Sequence, residues 1–465
     1  MHDLSKNEAS AARGRKDHLG VVIVGGGLAG IACNLKLRAA GHDTLLLESQ
    51  ANLGGKVGVQ KVGGLSFETG PTMFTGSRAV VWELLALLGL EEEAFPIPRE
   101  TTLRYVVRKG RLRPLQPSPL FLARCRALSW KEKWEIATEA FRKAPPPDTE
   151  ETVEAFCLRR FGPHVTHGVV SSMLSGIFAT TPAKLSVEAA LPVLSQWEKE
   201  AGSVLKGVVR QAKAARNPQS GLWSLRGGMA RLGLSAQQQL PCWTQAEVQA
   251  LSFENNLCKL RVLHDGHPEE VWAKAVCLAT DADAAAKLVQ PFLPEAAQCL
   301  RSFSFAPLAM VHWREKQAGE SRLPGGIGFL ASAHSGMFSL GTLFLGNYLQ
   351  DGRASRFVSF VGGTEFPERA LASDAHMHEG LQKDLRQLTG GKMGQVDFVQ
   401  RWPKAIGIPG LGHLHNIEKL HAQTRPFALQ LAGSYCGASA MHDAIQSGFA
   451  AAEALQQKLA QEGPR

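Results

Sequence analysis

Gly25, Gly27 and Gly30 fall in the run GGGLAG. A short apolar stretch, residues 21–24, precedes it, and Leu28, Ile31, Ala32 and Leu35 follow at helical spacing. A second apolar run, 45–47, ends on Glu48. Strand, glycine turn, helix, strand and acid in this order fit the dinucleotide fingerprint. The first glycine makes the tight turn, the second lets backbone approach a pyrophosphate, and the third lets helix lie close on strand. The helix N-terminus adds N–H donors and the positive end of its dipole. Glu48 is placed to accept from a ribose hydroxyl. NAD and FAD are both dinucleotides, so this segment alone leaves the chemistry open.

The elements that must position such a turn belong to a chain of 465 residues, long enough for two or three domains. Its 44% apolar content is ordinary for a globular protein, and no apolar run is long enough to span a bilayer. Residues 1–17 are polar, carry acids and lack an apolar core, which predicts a disordered tail rather than a signal or transit peptide. The eight cysteines are scattered with no CxxC pair, as in a protein of a reducing compartment without disulfides or a zinc site. A net charge of +9 suits an acidic lipid surface or a polycarboxylate substrate, and equally a solvated basic surface. No helix-turn-helix or zinc-finger pattern supports a nucleic-acid partner.

Along the chain, 18–74 reads as the first half of a Rossmann unit, with breaks at 91–93 and 96–98. A strand at 103–107 and a turn at Lys109 and Gly110 follow. Beyond Pro114, Pro117 and Pro119, the residues Trp130, Trp134, Ala137 and Phe141 fall on one helical face. Arg124, Arg126, Lys131, Lys133, Arg142 and Lys143 flank it. The pattern fits a helix lying in a membrane surface and also a helix packed on its own domain. APPPD at 144–148 reads as a hinge, Thr149 as a helix start, and helices continue to about 206. A glycine turn and helix are expected at 221–235, and strands at 246–252, 259–263 and 273–280. Residues 305–363 are mostly β, 429–433 is a last strand, and 443–455 a C-terminal helix. A nucleotide domain built from distant segments is the economical reading.

Gly54, Gly55 and Lys56 follow Glu48 in an E-x5-GG pattern. This extension resembles the flavin amine-oxidase superfamily, where a basic residue in the position of Lys56 adds charge near the pyrophosphate. The resemblance implies FAD. It places Gly25, Gly26, Gly27, Leu28, Ala29, Gly30, Glu48, Ser49, Gly55 and Lys56 around the nucleotide. Gly70, Pro71, Thr72 and Met73, in FETGPTMF, then pass beside the isoalloxazine. The backbone of Val248 meets adenine, and Trp402, Gly433, Ser439, Ala440 and Met441 complete the cofactor set.

The inner segments LSGIFATTPAKLSVEAALP, WSLRGGM, FAPLAMVHW, GIGFL, LGTLF and SFVGG stand in an order similar to the oxygen-dependent, FAD-containing protoporphyrinogen (or coproporphyrinogen) oxidase family. That likeness implies oxidation of protoporphyrinogen IX to protoporphyrin IX: six electrons in three hydride transfers to flavin N5, with O2 as acceptor and H2O2 released. No catalytic side chain and no metal are implied, since the flavin does the chemistry. Arg104 is implied to face a substrate propionate, Phe360 to stack on a pyrrole, and Leu330 and Leu343 to sandwich the macrocycle. The alternatives are a coproporphyrinogen III oxidase, a flavin amine oxidase and a non-catalytic porphyrin-binding flavoprotein.

The fold class implied is α/β. A Rossmann-like FAD domain comes from 18–84, 221–295 and 405–465. A mixed α+β substrate domain comes from 85–111 and 296–404, and a helical membrane-binding, substrate-capping insertion from 112–220. The implied location is cytoplasmic, peripheral on the cytoplasmic face of an anionic membrane. The implied partners are a second copy in a homodimer and ferrochelatase as the next pathway enzyme.

Overall fold

The computed structural model describes residues 18–115, 125, 127–142, 149–214, 219–349 and 355–462. The expected tail, the hinge at 144–148, Pro117, Pro119, Arg124, Arg126 and Lys143 lie outside the described residues.

Leu19–Val24 and Thr44–Leu47 are buried almost throughout, as strands covered on both faces require. They pair in parallel, and Leu19–Val24 also pairs in parallel with His267–Leu278. These strands lie in a seven-stranded sheet ordered Cys242–Trp243, Thr44–Leu47, Leu19–Val24, His267–Leu278, Leu257–His264, Ala246–Glu254, with Leu429–Leu431 also pairing with His267–Leu278. Distant segments thus close one sheet. The strands expected at 246–252, 259–263 and 273–280 are present, and their antiparallel pairing extends them. The glycine helix Leu28–Ala39 packs on the C-terminal helix Met441–Glu462. A Cβ at Gly448 would stand 2.1 Å from the Ala29 carbonyl, so only glycine permits this approach.

A second seven-stranded sheet is ordered Gln395–Ile408, Ser304–Arg314, Arg356–Gly362, Ser339–Phe344, Gly328–Leu330, Arg104–Arg108, Arg111–Leu115. Trp313, Phe344, Phe357, Met377, Leu381 and Leu385 form its core against helix Asp374–Thr389. The strand Gln395–Ile408 crosses the limit expected at 405 and stays paired with Ser304–Arg314 to its end. Residues 221–235 also hold a strand, Leu222–Leu225, which pairs with Phe74–Thr75 and Ala94–Pro96.

Helices from Trp130–Thr138 to Val204–Ala214 fill the insertion, past the expected end at 206. Trp130–Thr138 is turned inside out. Glu132, Glu135 and Glu139 are buried, whereas Trp130, Trp134 and Phe141 are 82%, 72% and 83% exposed. A helix packed on its domain by its apolar face is therefore excluded. The inward carboxylates are paired: Glu132 with Arg108 at 2.6 Å, Glu139 with buried Arg160, and Glu135 with His164 at 2.7 Å. Ser129 and Glu132 close a capping box that fixes the helix start.

Candidate functional site

At the carboxyl ends of the parallel strands lies a cleft of about 1400 Å³, where ligands bind in open α/β sheets. Gly25, Gly27, Glu48, Ser49, Gly55, Lys56, Val248 and Trp402 line it. Gly26, Leu28, Ala29 and Gly30 stand behind this wall. Gly30 serves close packing, since a Cβ there would lie 1.9 Å from the Gly25 carbonyl oxygen. Gly27 differs: a Cβ there would meet nothing within 4 Å. It caps the helix Leu28–Ala39 without a side-chain acceptor, leaving first-turn N–H groups for a ligand.

The Glu48 carboxylate accepts from Gly26 N–H at 2.6 Å and from Gln50 N–H at 2.8 Å. That locks it across the turn with its remaining lone pairs available to a ribose. The strand bearing Val248 is at the sheet edge and bulges between Val248 and Ala250. Lys56, expected to add charge near the pyrophosphate, is itself engaged by backbone. Its Nζ donates to the Lys404 and Ala405 carbonyls, both at 2.7 Å, and burial lowers its pKa. Thr280 and Asp281 also line the cleft. Sequence reading missed both: Thr280 fell at the end of the strand expected at 273–280, and Asp281 belonged to no motif.

Beyond the cleft, the loop with Gly70, Pro71, Thr72 and Met73 is pinned on both sides. Trp402 Nε1 donates to the Thr69 carbonyl at 2.7 Å, and Ser224 Oγ to the Thr72 carbonyl at 2.9 Å. Gly433, two residues past the last strand, has φ +151°, and Ser439, at φ +69°, precedes Ala440 and the helix from Met441. Asp443 caps that end by accepting from Ala440 N–H at 2.8 Å. Burial pushes the Cys436 thiol well up, so it stays protonated and inert.

Arg104, Leu330, Leu343 and Phe360 come from strands far apart in sequence, yet register places them together. Arg104 and Leu343 both stand opposite Gly328, while Leu330 and Phe360 both stand opposite Gly341. With side chains alternating along each strand, all four fall on one face of the second sheet. The glycines between them carry no side chain there. Leu330 packs against Gly176 of the insertion helix Ser171–Phe178, where a Cβ would lie 2.3 Å from a Leu330 methyl. Leu343, Phe360 and Met73 pack against a buried cluster containing Tyr348 and Met310. Arg104 is exposed at the rim and makes no ion pair or hydrogen bond with a described residue. Partial desolvation, unopposed by any carboxylate, lowers its pKa.

A model of the flavin containing amine oxidoreductase family matches residues 28–456. The chain is 26% identical to the chloroplastic protoporphyrinogen oxidase of Oryza sativa subsp. japonica, over 97% of this chain and 91% of that one. It is 27% identical to the Homo sapiens protoporphyrinogen oxidase, over 93% and 97%. The crystal structure of an Exiguobacterium sp. 255-15 protein provisionally named protoporphyrinogen oxidase superposes with a TM-score of 0.80 at 21% identity, covering 95% of this chain and 99% of that one. The cleft and glycine turn define an FAD-dependent oxidoreductase of mixed α/β fold. The chain belongs to the flavin containing amine oxidoreductase family.

Proposed function

We propose that the protein oxidises protoporphyrinogen IX to protoporphyrin IX in haem and porphyrin biosynthesis, with O2 as acceptor and H2O2 as by-product. Bound FAD supplies the hydride acceptor and its reoxidation by dioxygen. The observation that carries the reading is the sheet face on which an unpaired guanidinium, Arg104, borders an apolar floor holding Leu330, Leu343 and Phe360. A flat macrocycle suits such a floor. Phe360 offers a ring for a pyrrole, and Arg104 can grip a propionate bidentately. Helix Ser171–Phe178 packs through Gly176 on Leu330 at the edge of that floor. The near-full-length likeness to the rice and human enzymes supports the same substrate.

An amine oxidase would pair aromatic side chains as a cage around the amine. Here Tyr435 is buried against Phe303, Tyr105 donates to the Gly325 carbonyl, and Tyr348 bonds Thr72. None stands beside a second tyrosine. The exposed Trp130, Trp134 and Phe141, next to Lys131 and Lys133, suit peripheral attachment to the cytoplasmic face of an anionic membrane. No helix among the described residues is long and apolar enough to cross one.

Anaerobic mixing with protoporphyrinogen tests the function. The yellow flavin is expected to bleach, and air to restore it with release of porphyrin. A flavin that stays oxidised with porphyrinogen but bleaches with an amine overturns the reading. Faster turnover of coproporphyrinogen III, with its four propionates, would move it to the alternative substrate.

A further inference from the structure

The loop at 70–73 is held through backbone carbonyls by Trp402 and Ser224. The strand that leads into it, Leu65–Glu68, is anchored too, since the Glu68 carboxylate accepts from Met229 N–H at 2.5 Å. A further tie is made by a side chain of the loop itself. Thr72 Oγ1 and Tyr348 OH share a hydrogen bond of 2.9 Å, and both residues are 3% exposed. Neither hydroxyl has another partner among the described residues.

Tyr348 comes from the substrate sheet. The strand Ser339–Phe344, which carries Leu343, ends in the tight turn Leu345–Asn347. Asn347 Nδ2 donates to the Gly326 carbonyl at 2.6 Å, and Tyr348 N–H donates to the Leu345 carbonyl at 3.2 Å, so the turn is fixed. Tyr348 then lies in the buried cluster with Met310 and Val358, against which Leu343, Phe360 and Met73 pack. Its ring belongs to the cluster under the proposed substrate floor, and its hydroxyl holds the loop on the proposed flavin side. A phenol is rigid, so the reach from strand end to loop is set by the ring. Both hydroxyls are out of water, where losing the partner leaves the desolvation of the other uncompensated. Burial pushes the Tyr348 hydroxyl well up, so it stays protonated and the bond persists at any ordinary pH.

We propose that Tyr348 is a positioning residue: through Thr72 it fixes how far the flavin-side loop stands from the floor of Leu343 and Phe360. The inference goes beyond the porphyrinogen reading and rests on it for the identity of the floor. Productive transfer needs reacting atoms about 3–3.5 Å apart, and a misplacement of about 1 Å can slow it about a hundredfold. A bond that merely satisfied two buried hydroxyls would act on stability; one that sets this spacing acts on rate.

The test uses FAD-loaded holoprotein of the parent, Tyr348→Phe, Thr72→Val, the double variant, and Thr72→Ser, which keeps a hydroxyl. The first readout needs no substrate: visible circular dichroism of the bound flavin, which senses the surroundings of the ring. The band should change alike in Tyr348→Phe, Thr72→Val and the double variant, and Thr72→Ser should return it toward the parent. The second readout is flavin reduction by anaerobic protoporphyrinogen. Each single variant should lower the limiting rate about tenfold to a hundredfold, with the half-saturating concentration within about twofold of the parent. The double variant should be no slower than the slower single, because both remove one shared bond. Reduction by dithionite, a small reductant indifferent to the floor, should keep the parent's rate. Variants that melt lower yet keep the parent's limiting rate would assign the pair to stability and overturn the proposal. A double variant whose loss is the product of the two singles would overturn it as well. If porphyrinogen leaves the parent's flavin oxidised, the substrate reading falls and the dichroism decides: matching changes keep Tyr348 as the holder of the loop, and an unmoved band in every variant removes it.

Discussion

Arg104 is a guanidinium with no carboxylate partner among the described residues, at the edge of an apolar floor. Arginine holds a proton under all ordinary conditions, so what it lacks in the free protein is an anion. Arg104→Ala is expected to raise the KM for porphyrinogen about tenfold to a hundredfold, the loss of a charged contact of roughly 1.5–3 kcal/mol. Flavin content should not change, because Arg104 does not line the cofactor cleft. Steady-state kinetics beside the flavin absorbance ratio check both. Glu68 carries a stability signature of its own. Its carboxyl moves from 4.5 to about 7 on folding, so the native state binds more protons between those values. Stability is then full below about 4.5 and falls as pH rises to about 7, by up to about 1.4 kcal/mol per pH unit. Glu68→Gln keeps the acceptor for Met229 and removes the titration. Its melting temperature relative to the parent should rise across that window, as thermal melts at several pH values would reveal. An unchanging difference would place the titration elsewhere.

At the scale of elements, the second sheet assembles its face by register. The glycine turn, the Glu48 strand end and the meander at 246–278 were legible in the sequence because each is local: a periodicity, a turn residue, a spacing. The likeness of short ordered motifs supplied Arg104, Leu330, Leu343 and Phe360. Their common face was not legible, since it depends on Gly328 and Gly341 being paired across strands separated by a long stretch of chain. The inward acids of Trp130–Thr138 were hidden for the same reason. Charges on a helix normally read as its wet side, and only the arrival of Arg108 and Arg160 from other elements reverses that. Buried pairs of this kind leave a costly unpaired charge when one partner is removed, so the acids fix the helix orientation and push its aromatics outward. The double change Trp130→Ala, Trp134→Ala is expected to abolish most binding to vesicles rich in anionic lipid. It should leave the melting temperature within about 2 °C, because both rings already face water. Vesicle cosedimentation and a thermal melt separate these effects, and an unstable variant would mean that the rings pack within the protein.

For the whole molecule, the decisive feature is how two sheets are tied across one cofactor. The cleft at the end of the first sheet is walled in part by Trp402, which belongs to a strand of the second. Lys56, from the turn after Glu48, fastens the same strand through the carbonyls of Lys404 and Ala405. Nearby, Trp402 reaches back to the Thr69 carbonyl. Hydrogen bonds from a charged donor contribute roughly 1.5–3 kcal/mol each, so this is a coupling point between the halves. FAD spanning the cleft would contact both and stabilise them together by mass action. Lys56→Met removes the donor while keeping the bulk of the aliphatic stem. Calorimetry of the parent with FAD should give one cooperative transition whose midpoint rises with added FAD. In Lys56→Met the transition should broaden or split, with the cofactor-binding half melting first, and saturating FAD should recover only part of the loss. If the variant melts as one sharp transition with the parent's response to FAD, the tie between the sheets lies in apolar packing around Phe305 and Trp402 instead.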